Sequence, residues 1–196
     1  MQKSNSPSRL WWYPTGPFTL LPLHAAGLYG PEGSECVSDY VISSYTPTLE
    51  ALLVPPPAHA GNSLKMIVII QPETNGTIDE LQKIETRVPA EYLVKLGTSG
   101  VSASVEAVYS HLPSASVVYF ACHGQQDTNN LPESTLILVD GQLKMSQIAA
   151  QPMPNAPLAF LNSFQAVVDE SLQDEVIHSA AALLFAGFRG VVTTMW

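Results

Sequence analysis

The sequence predicts an α/β fold in which a mostly parallel sheet is flanked by helices, and three observations predict it. Four short runs, MIVII (66–70), VVYFA (117–121), LAFL (158–161) and VVTTM (191–195), are rich in β-branched and aromatic residues and do not alternate with polar ones. Strands read this way when helices cover both faces of a parallel sheet. Segments with helical spacing of apolar residues lie between them, so strand and helix alternate along the chain, which implies right-handed crossovers. The composition, 46% hydrophobic and 13% charged over 196 residues with a slightly positive mean hydropathy, describes a well-buried globular chain long enough for one sizeable core.

Each element follows from local signals. The N-terminal third is punctuated by Pro14, Pro17, Pro22, Pro31 and Pro47, with a short strand expected around LWWY and another at YVISS. The triplet Pro55-Pro56-Pro57, followed by AHAGNS, reads as an exposed linker loop. Ile78 to Leu96 carries apolar residues at Leu81, Ile84, Val88 and Tyr92, so a helix is expected there, kinked or split by Pro89. Val101 to Leu112 is a second helix, with Pro113 just beyond its end. The third, Asp174 to Phe188, opens with Ser171 and Asp174 in capping-box spacing. Its Ala180, Ala181, Ala182, Ala186 and Gly187 leave little bulk, so it is expected to lie close against the sheet.

Composition excludes several classes of function. With 17 acidic against 8 basic residues, a net charge of -9 and a pI near 4.8, the chain has no basic surface to displace counterions from nucleic acid. No apolar run reaches the roughly 18 to 20 residues of a membrane span, and the N-terminus lacks a signal-peptide pattern. Cys36 and Cys122 lie far apart without CxxC pairing, which points to a reducing, cytoplasmic setting. The sequon at Asn75 is read as chance, and no His pair has metal-ligand spacing with a carboxylate, so neither a metal nor a cofactor is expected.

Chemistry in an open parallel sheet gathers at the carboxyl ends of the strands. Two strands deliver candidates there. VVYFACHG ends in His123 and Gly124, a histidine followed by a glycine whose N–H can approach a substrate closely. LAFLNSFQ ends in a turn of Asn162, Ser163, Phe164 and Gln165, where an α/β enzyme often carries its nucleophile. If the two strands are neighbours, His123 faces that turn, as a His-assisted nucleophile requires.

Taken together, WWYPTGPFTLLPLHAAG, VSDYVISSYTPTL, YFACHG, LILVDGQL, LAFLNSFQA and DEVIHSAAALLFAGFRGVVTTMW resemble a CHAT domain of the fungal type, over residues 10–196, with residues 1–9 as a flexible N-terminus. The resemblance implies the three-layer caspase-like fold of the caspase, separase and gingipain peptidases, often associated with tetratricopeptide repeats, and peptide or protein partners. Active relatives use a His-Cys dyad, with the cysteine in a sequence resembling Ser-Ala-Cys-Gln-Thr. Carried over residue by residue, His123 takes the general-base position and Gly124 the oxyanion N–H. Asn162 stands where the family has serine, Ser163 where it has alanine, Phe164 where it has the nucleophilic cysteine, and Gln165 agrees.

A phenyl ring has no lone pair with which to attack a carbonyl. The expectation is therefore a pseudopeptidase or interaction module. The alternatives are an endopeptidase using His123 with Ser163, and a non-functional gene fragment. Cys122 is expected to face away from His123, because neighbouring side chains on a strand point oppositely. The acidic segment with Asp169, Glu170, Asp174 and Glu175 reads as a solvated helix start, with Asp174 and Glu175 as candidate contacts for basic substrate side chains. His24 is read as supporting a turn, His178 as a core residue, and His59 and His111 as lying in a loop and near a helix end. The chain ends in or just after an apolar strand, VVTTMW, whereas relatives continue, so the C-terminal elements are expected to be missing.

Overall fold

The structure is a computed structural model that describes residues 6–16, 18, 21–31, 33–46, 49, 52–53, 64–71, 76–125, 127, 130–151, 153, 158–162, 180–184 and 186–193. The chain divides into two compact units, residues 1–55 and 56–196, and the boundary falls inside the proline triplet.

Among its described residues the first unit holds four short strands: β1 (Ser8–Trp12), β2 (Gly27–Gly30), β3 (Gly33–Cys36) and β4 (Val41–Tyr45). β1 and β4 pair in parallel, while β2 and β3 form an antiparallel hairpin. The strand expected at LWWY is β1, beginning two residues earlier, and that expected at YVISS is β4. His24 lies in a 3-10 turn and its Nδ1 is 2.9 Å from the Tyr45 hydroxyl, with the two rings edge to face, so it braces the turn against β4.

The second unit is built on a five-stranded sheet of β5 (Met66–Ile70), β6 (Leu93–Leu96), β7 (Val117–Ala121), β11 (Leu158–Leu161) and β12 (Gly190–Thr193), in the order β12-β11-β7-β5-β6. Every pairing in it is parallel. Between β7 and β11 the chain forms a small antiparallel sheet of β8 (Gly124–Gln125), β9 (Thr135–Leu138) and β10 (Gly141–Lys144). Among the described residues the helices are α1 (Thr77–Glu85), α2 (Val105–His111) and α3 (Met145–Ala149), with a further helical stretch at 180–184.

Strand alternation sorts the core into two layers. Ile67, Ile69, Val118, Phe120, Ala159 and Leu161 pack on one face with Val108 of α2, Ile148 of α3 and Leu183 of the stretch 180–184. Val68, Ile70 and Ala121 pack on the other with Leu81 of α1. The faces agree with the strand order. The chain moves one way across the sheet from β5 to β6 and the opposite way from β6 to β7, β11 and β12, so right-handed crossovers put α1 on the side opposite α2 and α3. The outcome is helix, sheet, helix, the three-layer α/β arrangement expected from the unbroken apolar strands.

Two helix expectations are corrected. The helix expected from Ile78 to Leu96 ends at Glu85, and Leu93–Leu96 is an edge strand paired with β5. Pro89 removes the donor needed to continue the helix, and the short run LVKL finds its backbone partners on β5 instead. The helix expected from Val101 begins only at Val105: Val101 bridges to Thr98, and Ser104 is the N-cap, its Oγ accepting from Ala107 N at 3.1 Å. The start of the helix expected from Asp174 lies outside the described residues.

Candidate active site

The carboxyl ends of β5, β7 and β11 lie side by side. β7 and β11 are neighbours, with Leu158 opposite Val117 and Leu161 opposite Phe120. The ladder runs one residue further on each side of β7: Gln71 N donates to Ala121 O at 3.1 Å and Asn162 N donates to Phe120 O at 3.0 Å. His123, two residues past β7, therefore lies just beyond the level at which Asn162 pairs with β7. Between β5 and β7 the direction of chain progression reverses, and this switch point is where open α/β sheets form their ligand crevice.

His123 is half-buried, at the point where the chain leaves the parallel sheet for the antiparallel one. Its N–H donates to Gln71 Oε1 at 2.9 Å, and its carbonyl accepts from Ile137 N at 2.8 Å. Gly124 opens β8 and stands opposite Leu136. Cys122 is fully buried among Phe120 and its neighbours, on the face opposite Tyr119 and Ala121. Burial pushes its thiol up to about 12, so it is held as a neutral core group and not as a thiolate nucleophile.

Beside His123's strand, three side chains from three elements form a hydrogen-bonded ring. Tyr119 of β7 donates from its hydroxyl to Glu80 Oε2 of α1 at 3.0 Å, and Asn162 Nδ2, just past β11, donates to that hydroxyl at 3.1 Å and to Glu80 Oε1. Burial and then the Glu80 carboxylate push the Tyr119 phenol up to about 12. Its ring stacks on Phe160, centroids 6.0 Å apart. Asn162 thus anchors the chain just past β11 to α1.

Ser163, Phe164 and Gln165 lie outside the described residues, as do Asp169, Glu170, Asp174, Glu175, His59 and His178. His111 ends α2, with Nδ1 donating to Ala107 O at 2.7 Å. Among the described residues no helix is long and apolar enough to cross a membrane.

Gln71, Tyr119 and Glu80 were not singled out from the sequence. Gln71 carried a signal similar to that of His123, a polar residue at the end of an apolar strand run. Tyr119 reads as one more apolar member of VVYFA, and Glu80 as a solvated first-turn acid, until the fold brings them together.

An open parallel sheet with helices on both faces and a His-Gly just past one of its strands fits a peptidase-related fold of the caspase-like class. The family model of the CHAT domain matches residues 1–196, the whole chain, and the chain belongs to that family. No curated protein matches it.

Proposed function

We propose that this chain is a pseudopeptidase: a CHAT domain, residues 10–196, that keeps the general-base position of a cysteine peptidase and uses the surrounding cleft to bind a peptide or a protein partner. The observation that carries the reading is Phe164, in the motif position of the nucleophilic cysteine. Covalent catalysis at a peptide carbonyl needs a lone pair on the attacking atom, and no rearrangement of a phenyl ring supplies one. Cys122 offers no substitute, since its thiol is buried on the far face of β7.

His123 would be the remaining base and the Gly124 N–H the remaining oxyanion donor. Asp174 and Glu175 would favour basic side chains in whatever peptide the cleft accepts. The working setting is the cytoplasm, and proteins containing tetratricopeptide repeats are natural partners for a member of this family. A second reading, favoured by the retained His123-Gly124, is an endopeptidase in which Ser163 attacks.

Cleavage of a diverse peptide library, read by mass spectrometry, separates the two readings. The natural chain is expected to leave the library intact. Phe164→Cys is expected to cut it, and Phe164→Cys with His123→Ala to lose that cutting at least a hundredfold. Cutting by the natural chain would overturn the pseudopeptidase reading and send the search to Ser163.

A further inference from the structure

The geometry points to Gln71 as a positioning residue for His123: its side-chain amide ties the backbone of His123 to that of Ile137 and so fixes where the imidazole begins. The inference rests on the reading of His123 as the general-base position.

Gln71 is the first residue past β5, beside the switch point of the sheet. Its own backbone is held on both sides, its N–H donating to Ala121 O at 3.1 Å and its carbonyl accepting from the hydroxyl of Thr77, a buried residue at the start of α1, at 2.9 Å. From that fixed base the side chain reaches forward. Its Oε1 accepts from His123 N–H at 2.9 Å and its Nε2 donates to Ile137 O at 2.8 Å, while Ile137 N–H donates to His123 O at 2.8 Å. Three hydrogen bonds thus join three chain segments in a closed ring.

The location gives this ring its purpose. His123 lies between β7, which ends at Ala121, and β8, which begins at Gly124: its carbonyl is held by Ile137 of β9, whereas its N–H is taken up by the Gln71 side chain. The primary amide of Gln71 offers an acceptor and a donor in one plane. A carboxylate would keep the bond from His123 and repel the Ile137 carbonyl, and a hydrocarbon would lose both. A general base acts only when its side chain is held within a fraction of an ångström of its working position, so fixing its backbone is a condition of the chemistry.

The test is backbone amide exchange by NMR on the full natural chain. Gln71→Leu is expected to speed exchange at His123 at least tenfold, and exchange at Ile137 with it, while the Ile67 and Ile69 amides of β5 remain protected. Gln71→Asn keeps the amide on an arm one methylene shorter and carries the same expectation, so it decides the matter if the leucine variant does not fold. Gln71→Glu is expected to keep His123 protection within about threefold of the natural chain, because its Oε still accepts that N–H. In the Phe164→Cys background, Gln71→Leu is expected to lower kcat at least tenfold with KM little changed. Unchanged exchange at His123, or equal acceleration at His123 and throughout β5, would overturn the inference. If Phe164→Cys does not cut peptides, the reading of the site fails, whereas the exchange rates still decide whether Gln71 holds His123.

Discussion

Gly97 shows how closely one residue can be specified. Its φ of 92° lies in the left-handed region, and a Cβ built there would overlap the carbonyl oxygen of Ile70, the residue before Gln71. Gly100 has a similar φ of 86° with open space around it. Gly100→Ala is therefore expected to cost about 1–2 kcal/mol from backbone strain alone. Gly97→Ala adds the collision with β5 and is expected to cost distinctly more. Urea unfolding of both variants checks this, and equal losses would show that the approach to Ile70 is unimportant. At this scale the sequence was partly legible. His123 and Gly124 stand out because they follow an apolar strand, whereas the role of Gln71 depends on Ile137, a residue distant in sequence that only the fold brings alongside.

Elements are joined at the site by the Tyr119, Glu80 and Asn162 ring, which links β7, α1 and the end of β11. Tyr119→Phe keeps the ring stacked on Phe160 and removes the hydroxyl that both bonds share. The expected cost is about 1–3 kcal/mol, the usual penalty for leaving partly buried polar partners without their bond. Its signature is a lower urea midpoint with an unchanged denaturant slope; a change within about 0.3 kcal/mol would show that Glu80 and Asn162 hold together without it. The element that sequence reading misassigned is β6. Apolar residues at Leu93, Val94 and Leu96 suit a helix face as well as a strand, and a four-residue run carries too few positions to separate the two periods. Pairing of Met66 with Leu93 and of Ile69 with Leu96 settles it, and pairing is a property of two segments.

At the scale of the whole molecule, the burial of Cys122 and Tyr119 is expected to lower stability in alkali. Cys122 rises from 9.0 to about 12 and Tyr119 from 10.0 to about 12 on folding. Between those values the unfolded chain has lost protons that the folded chain retains, so stability is fully present below about pH 9 and falls as pH rises towards 12. For Cys122, fully buried, the loss approaches about 4 kcal/mol at the upper end. Urea midpoints measured from pH 7 to pH 11 are expected to be level at first and then decline, and Cys122→Ala is expected to soften the decline. Iodoacetamide at pH 8 is expected to label the half-buried Cys36 well before Cys122. Comparable labelling rates would contradict the placement of Cys122 in the core.

The sequence by itself determined the class of fold, three sheet strands to the residue, the strand end that carries His123, and the family. Each of these is written in local composition: an unbroken apolar run marks a doubly covered strand, and Phe164 announces its missing lone pair without any coordinates. Tertiary structure decided which strands are neighbours, which face each helix covers, and how Gln71, Tyr119, Glu80 and Asn162 meet. These are relations between segments far apart in the chain, created when hydrogen bonds and core burial bring them together, and no local pattern records them.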